Sequence, residues 1–342
     1  MSSARDRPAR ARETGFRWRR SRRLTLAGVL AALALAGGSG ATPAGPTLTF
    51  STFAQTDLPL SGVVWTGTSF LYLPENASQI EAADATGAGV HQFTSFAGGL
   101  GGEEVRCAVP VIAYWPDGVY CHLPDNRIYR IARDGSSITL LATLPGVASD
   151  GGLVFDSSGR FGYALLASTG GSSSEGGEIY AVRTDGRAQE IGAYPGPGGA
   201  DELAIAPPKF GPASGQLLLS VDQDSVSGRV LAIDRSGKVR VVASGLGNGD
   251  NPIAVVAAPP RQPSSGQPAP GLYVGDTNSM AVYFAPASAL AAFVGGVVVG
   301  SELGADFWTI KPNARGTGFV VQQAAVHLPD GNPNLEGAAY VP

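Results

Sequence analysis

The sequence has few of the residues on which common enzyme classes depend. Among its 342 residues there are two cysteines and three histidines. No nucleophile-elbow, zinc-protease, phosphate-loop or dinucleotide-binding motif occurs in a context where it would work. The apolar run at 24–36 has thirteen residues, fewer than the roughly 20 that span a bilayer. These absences argue against the motif-defined enzyme classes and against a stable membrane span.

The first 41 residues have the pattern of an export signal. Residues 1–23 hold nine arginines and two acids, and small residues follow the apolar run. This order is typical of a signal peptide, although a short membrane anchor is an alternative. Arg22-Arg23 resembles a twin-arginine signal without its usual aromatic residue, so both export routes stay open. We predict export to the periplasm or the extracellular space, and a mature domain over residues 42–342.

Basic residues are scarce beyond the leader. Without residues 1–23 the chain keeps 15 basic and 26 acidic residues, a net charge of −11. A surface of this sign does not attract nucleic acid or anionic lipid. We therefore expect no nucleic-acid partner. A cation or a neutral ligand suits this charge better.

A block of short strands recurs about every 50 residues. Its turn glycines are Gly87, Gly135, Gly186 and Gly237, spaced 48, 51 and 51 residues apart. A strand repeat of this period is typical of a β-propeller. The sequence therefore predicts an all-β, six-bladed β-propeller, with seven blades or an irregular ring as the alternative. The innermost strands are expected at 62–65, 109–114, 152–155, 203–206, 253–257 and 307–310.

The last third of the chain can be divided in two ways. Residues 280–286 are either the third strand of blade 5 or a new innermost strand. In the second case 297–299 and 306–310 are the strands that follow it. Residues 335–342 also resemble an innermost strand. Residues 47–54 predict an outer strand that completes the last blade and so closes the ring.

The two cysteines, Cys107 and Cys121, can either pair or stay free. An exported protein permits a disulfide. If residues 115–118 form a tight hairpin, however, residue 121 faces about 112 rather than 107. This register favours free, buried thiols that act as small apolar side chains.

Polar residues recur where innermost strands begin and second strands end, two positions that meet at one face around the axis. Carboxylate and amide oxygens there suit Ca²⁺, although polar residues also simply solvate a channel mouth. His122 is a candidate general base because its ordinary pKa lies near neutrality. The residues at these positions include Asp150, Asp201 with Glu202, Asp250 with Asn251, Asp306, Glu75, His122, Ser168, Asp222 and Asp276.

Three short motifs resemble a known family: SDGGLVFD at 149–156, DNPIA at 250–254 and LEGAAY at 335–340. Together they resemble the calcium-dependent six-bladed lactonases of the regucalcin/gluconolactonase family and, more loosely, NHL-repeat propellers. The resemblance implies lactone hydrolysis with Asp150 or Asp201 as the base. It also implies a Ca²⁺ ion bound by Asp201, Asn251 and Glu336, to which the polar face adds Asp276. Ser61 stands where the family has an N-terminal glutamate.

Two functions follow from these observations. The first is non-catalytic binding of a small molecule or protein partner at the central face. The alternative is a divalent-metal-assisted lactonase or related hydrolase, in which the metal polarises a carbonyl group. Ser61 favours the first, and the sequence leaves the substrate or partner open.

Overall fold

The structure, a computed structural model, describes residues 46–76, 78–96, 104–146, 151–171, 175–221, 228–247, 250–259 and 266–342. The predicted export signal lies outside them. The described residues form 25 strands and two short 3₁₀ helices, Gly211–Ala213 and Ala291–Phe293. Neither helix has the length or apolar character to cross a bilayer. In chain order the strands are β1 (Thr47–Thr49), β2 (Ser51–Gln55), β3 (Leu60–Trp65), β4 (Phe70–Pro74), β5 (Gln79–Ala83), β6 (His91–Ser95), β7 (Arg106–Ala108), β8 (Val119–His122), β9 (Arg127–Ile131), β10 (Ile138–Thr143), β11 (Leu153–Phe155), β12 (Leu165–Ser168), β13 (Glu178–Val182), β14 (Ala188–Ala193), β15 (Glu202–Ile205), β16 (Leu217–Val221), β17 (Arg229–Ile233), β18 (Val239–Ser244), β19 (Asp250–Val255), β20 (Gly271–Asp276), β21 (Ala281–Pro286), β22 (Val297–Ser301), β23 (Phe307–Pro312), β24 (Phe319–His327) and β25 (Leu335–Val341).

The strands form six sheets, which are the blades of a ring and confirm the predicted six-bladed β-propeller. Blades 1 to 4 each use four consecutive strands, beginning with β3, β7, β11 and β15. Blade 5 contains β19, β22, β23 and β24, and blade 6 contains β25, β20, β21 and β2. The innermost strands neighbour one another around the axis in the order β3, β7, β11, β15, β19, β25.

Blades 5 and 6 are interlocked. The chain leaves β19 for two strands of blade 6, returns for three strands of blade 5, and ends in β25. Ile253 pairs with Val299 in blade 5, and Val274 pairs with Ala338 in blade 6. The predicted innermost strand at 307–310 is therefore wrong, because β23 is the third strand of blade 5. The innermost strand of blade 6 is instead β25. It passes close to blade 1 at Gly337, where a Cβ would lie 3.2 Å from the Cα of Gly62.

The N-terminal segment closes the ring, as predicted. β2 pairs with β21 at the outer edge of blade 6, and β1 adds a parallel fifth strand to β24 in blade 5. Both pairings are main-chain ladders, so the segment ties two neighbouring blades together. Closure of this kind holds the two ends of the chain in one ring of blades.

The four repeated turn glycines have left-handed backbone conformations, with φ between 73° and 82°. Each lies in the turn between the third and fourth strands of its blade. A Cβ at Gly135 or Gly186 would overlap the carbonyl oxygen of Phe93 or Leu141, on the outer strand of the preceding blade. The repeat thus combines two demands, a positive φ and a close approach between blades.

Aromatic side chains fill the spaces between neighbouring blades. The rings of Phe70 and Tyr273 lie 4.6 Å apart between blades 1 and 6. Those of Tyr120 and Phe155 lie 5.3 Å apart between blades 2 and 3. These contacts place large apolar surfaces in the core of the ring and away from its faces.

Cys107 and Cys121 form a disulfide, so the expectation of free thiols is wrong. The error comes from the position of β7, which covers 106–108, while the expected strand at 109–114 is a connecting loop. With this register Cys107 stands directly opposite Cys121 on β8. Their Cα atoms are 4.1 Å apart.

Replacing both cysteines by alanine should destabilise the protein by about 3 kcal/mol, because the disulfide closes a short loop in the unfolded chain. Urea unfolding of the wild-type and double-alanine proteins measures the difference. A reducing agent should lower the wild-type midpoint and leave the variant unchanged. Equal midpoints without reductant would show that the disulfide contributes nothing.

Candidate functional site

An apolar cavity of about 1130 Å³ runs along the axis of the ring. Each innermost strand contributes at least one half-buried apolar side chain to its wall. The strand order explains this, because the six innermost strands stand side by side around the axis. We call one such residue from each blade a wall residue, and the six are Val64, Ala108, Val154, Ile205, Val255 and Ala338.

The two ends of the cavity are lined by different residues. Its rim is formed by loops that join the first and second strands of blades, including those with Arg160 and Lys209. At the other end it meets the side chains of Arg106 and Glu202. The predicted binding face was the end where the innermost strands begin, whereas the cavity opens where they finish.

A buried ion-pair cluster lies at the cavity floor. Arg106, at the start of β7, has a side chain that is 4% exposed. Its guanidinium forms ion pairs with Glu104, with Glu202 at 3.7 Å and with Glu336 at 3.4 Å. It also donates hydrogen bonds to the carbonyl oxygens of Ser61 and, at 3.0 Å, of Asp201. One side chain of blade 2 therefore contacts blades 1, 4 and 6.

Glu202 extends the cluster across the axis. The backbone N–H groups of Ile253 in blade 5 and Ala338 in blade 6 face its carboxylate and lower its pKa. A Cβ at Gly337 would overlap this carboxylate, so glycine is required for the approach. Together Arg106 and Glu202 connect five of the six blades at one end of the ring.

The cluster holds more carboxylates than cations, and its pKa values reflect this. Burial alone would lower the pKa of Arg106, but the three surrounding glutamates raise it, so the guanidinium stays charged. Burial raises the pKa of Glu202 to about 7, against the opposing effect of Arg106. Burial, together with the charge of Glu104, also raises the pKa of Glu336 well above its usual range. Protons are therefore held at the cavity floor near neutral pH.

Two predicted site residues belong to this cluster. Glu336, on β25, is 2% exposed and is paired with Arg106. Asp201 is buried immediately before β15, and its carbonyl oxygen accepts the Nε–H of Arg106. Glu202, which the sequence places beside Asp201, supplies the acidic side chain that reaches the cavity.

The other predicted site residues lie away from the cluster or outside the described part of the chain. Asp276, at the end of β20, is fully buried, and its carboxylate accepts the N–H groups of Asn278 and Asn334. Asn251 lies in β19, but its side chain, like all of Asp150 and Asp222, is outside the described part of the chain. Asp306 precedes the third strand of blade 5 rather than an innermost strand.

His122, at the end of β8, is buried and is not among the residues that line the cavity. Its Nδ1 lies 2.9 Å from the carbonyl oxygen of Gly151, so Nδ1 carries the proton and Nε2 the lone pair. Burial lowers the pKa of His122 to about 4. The imidazole is therefore neutral at physiological pH, and it is a weak base.

The described donor set does not fit a preformed calcium site. A cation already stands among the carboxylates, because Arg106 occupies the space between Glu336 and Glu202. Asp276 is committed to backbone N–H groups. Among the described residues, no group of three or more histidine, cysteine, aspartate or glutamate side chains has the arrangement to hold a metal ion.

Sequence reasoning missed Arg106 because it placed the innermost strand of blade 2 too late. The available signal was the repeat itself, since Arg106 precedes Leu153 by 47 residues and Leu153 precedes Leu203 by 50. A lone arginine in the apolar stretch 105–113 is also unusual, because a buried charge needs partners.

No protein-family model and no curated protein matches the chain. A chain of a nidogen–laminin complex is similar in structure, with 12% identity over 86% of this chain and 85% of that one, at a TM-score of 0.49. A putative 6-phosphogluconolactonase from Bacteroides uniformis has 11% identity over 82% and 73%, at 0.44. A protein of unknown function from Bacteroides thetaiotaomicron has 12% identity over 85% and 69%, at 0.49. None of these TM-scores reaches 0.5, and the six-bladed β-propeller is defined by the strand order of this chain alone.

Glu202→Gln should change how stability depends on pH. The pKa of Glu202 is about 7 in the folded protein and roughly 4.3 in an unfolded chain. The folded state therefore holds an extra proton between these values, and the wild type loses stability as the pH rises through them. From about pH 5 to about pH 7, the unfolding free energy of the wild type should therefore fall relative to that of the variant.

Chemical denaturation at several pH values measures this difference. His122 titrates with the opposite sign but equally in both proteins, so its effect cancels. Glu190→Gln, on the exposed face of β14, is the matched control and should run parallel to the wild type. A constant difference between Glu202→Gln and wild type across the range would contradict the assignment.

Proposed function

We propose that this protein is an exported, non-catalytic binding protein whose axial cavity takes a small molecule with a mostly apolar body. The observation that carries the proposal is the wall, to which all six blades contribute one apolar side chain. Its volume of about 1130 Å³ is at the upper end of the roughly 300–1,000 Å³ of small-molecule pockets. Burial of apolar ligand surface supplies the binding free energy.

The floor of the cavity supports binding rather than catalysis. Its polar groups are occupied with one another, because Arg106 pairs with three glutamates and Glu202 also faces main-chain N–H groups. A general base needs a lone pair directed at the substrate. The described carboxylates of the floor are instead directed at the guanidinium and at the neighbouring strands.

The disulfide supports the proposal of export. Disulfides persist in oxidising compartments and are rare in the cytosol of most cells. The bond between Cys107 and Cys121 is therefore consistent with the signal-peptide pattern of residues 1–41. The periplasm and the extracellular space both satisfy this condition.

Val154→Phe should weaken binding of an uncharged apolar dye such as Nile red by about tenfold or more, because the larger ring fills part of the cavity. Fluorescence titration measures saturable binding and its blue shift. Val241→Phe is the matched control, since Val241 is 58% exposed on the outer strand β18. The proposal fails if the wild type shows no saturable binding, or if Val154→Phe binds the dye as tightly as Val241→Phe does.

Calcium-assisted hydrolysis, which the sequence resemblance implies, stays the second candidate. One observation favours it: carboxylates outnumber the guanidinium at the floor, and the charges of Glu302 and Glu75 also act on Glu336. A bound Ca²⁺ ion would stabilise the folded protein in proportion to its occupancy.

Thermal melting with millimolar CaCl₂ and with EDTA tests this alternative. The binding-protein proposal expects equal melting temperatures, because Arg106 already stands between the carboxylates that would bind the ion. A rise of several degrees with Ca²⁺ that is lost in Asp201→Ala and Asn251→Ala would favour the metal site. Lactone hydrolysis would then be the activity to assay.

A further inference from the structure

The charged side chains that line the cavity differ between its two ends. Among the described residues, the floor carries one acidic side chain, Glu202, and one basic side chain, Arg106, and these two are paired with each other. Two basic side chains, Arg160 and Lys209, line the opposite end, at the rim. Both are exposed, and within the described part of the chain neither has an ion-pair partner. The rim therefore offers positive charge next to an apolar wall.

Arg160 stands on an ordered loop. The buried carboxylate of Asp156 accepts the N–H groups of Phe161 at 2.8 Å and Tyr163 at 3.0 Å, and that of Ser158 at 2.9 Å. These bonds hold the turn that carries Arg160. They also occupy Asp156, the acid nearest to Arg160 in the sequence, with backbone donors. The guanidinium is thus left for a partner from outside.

Lys209 lies on the neighbouring blade, on a loop that is equally well packed. Phe210 and Ala213 in this loop are fully buried. The side chain of Arg160 lies against Gly215 of the same loop, where a Cβ would overlap it. Gly215 therefore lets the arginine of blade 3 reach the loop that carries the lysine of blade 4.

We infer that the ligand is an amphiphile with a single anionic head group, such as a carboxylate. Its apolar chain lies along the axis against the six wall residues, and its head group stays at the rim between Arg160 and Lys209. The inference rests on the proposed function, since it specifies the chemistry of the same cavity. The net charge of −11 beyond residue 23 repels anions in general, so local cations are what admits one.

Competition between two probes of equal chain length tests the inference. Decanoate and decan-1-ol share the apolar chain and differ in the head group, and each is titrated against bound Nile red below its micelle concentration. Exposed ion pairs contribute modestly, so we expect decanoate to bind about three- to tenfold more tightly than the alcohol at low salt. Half-molar salt should reduce that preference, because it screens the rim.

The double variant Arg160→Gln/Lys209→Gln should remove the preference, so that it binds decanoate and decan-1-ol equally tightly. Arg240→Gln, on the exposed face of β18, is the matched control and should keep it. Equal wild-type affinity for acid and alcohol would overturn the inference while the proposed function stands. A preference that survives in the double variant would also overturn it. If the dye binds nowhere and neither probe competes, the proposed function itself fails.

Discussion

The structure depends on one buried cation. Arg106 reaches from blade 2 across the axis to carboxylates or carbonyl oxygens of blades 1, 4 and 6. Its guanidinium is buried, so its charge is tolerable only if all these acceptors are in place. That condition fixes the separation and the register of inner strands that make no hydrogen bonds to one another. Other hydrogen bonds join single pairs of neighbouring blades, such as that between His122 and the carbonyl oxygen of Gly151, whereas the cluster links five blades at one point.

The second constraint is the path of the chain. Blade 6 is built from both ends of the sequence and from a hairpin between them, β20 and β21. Its sheet is complete only when the N-terminal β2 and the C-terminal β25 are both in place. The same blade carries Glu336, so closure of the ring and assembly of the ion-pair cluster are coupled. The interlock thus links the two ends of the chain to the centre of the molecule.

The sequence repeat predicts blades 1 to 4 because each turn glycine is required twice, by its left-handed backbone conformation and by close packing against a neighbouring segment. The predicted division into blades 5 and 6 failed because β20 and β21, which follow β19 in the chain, belong to blade 6. A 50-residue pitch does not show that a hairpin lies in the neighbouring blade. It also failed at β7, where the long loop 109–118 was taken as strand and turn. The predicted strand begins three residues later than β7, and for this reason sequence reasoning missed both the disulfide and Arg106. The outer fold follows from local signals, whereas the centre depends on contacts between distant blades.

The ion-pair cluster also determines how the two ends of the axial cavity differ. The cluster occupies the end of the cavity that lies opposite the rim. At the floor the one guanidinium, that of Arg106, is paired with glutamates, whereas the rim carries two exposed basic side chains. In the proposed function the anionic head group is therefore held at the rim, and the apolar chain lies toward the floor. The interaction that holds the ring together is thus the one that gives the cavity its direction.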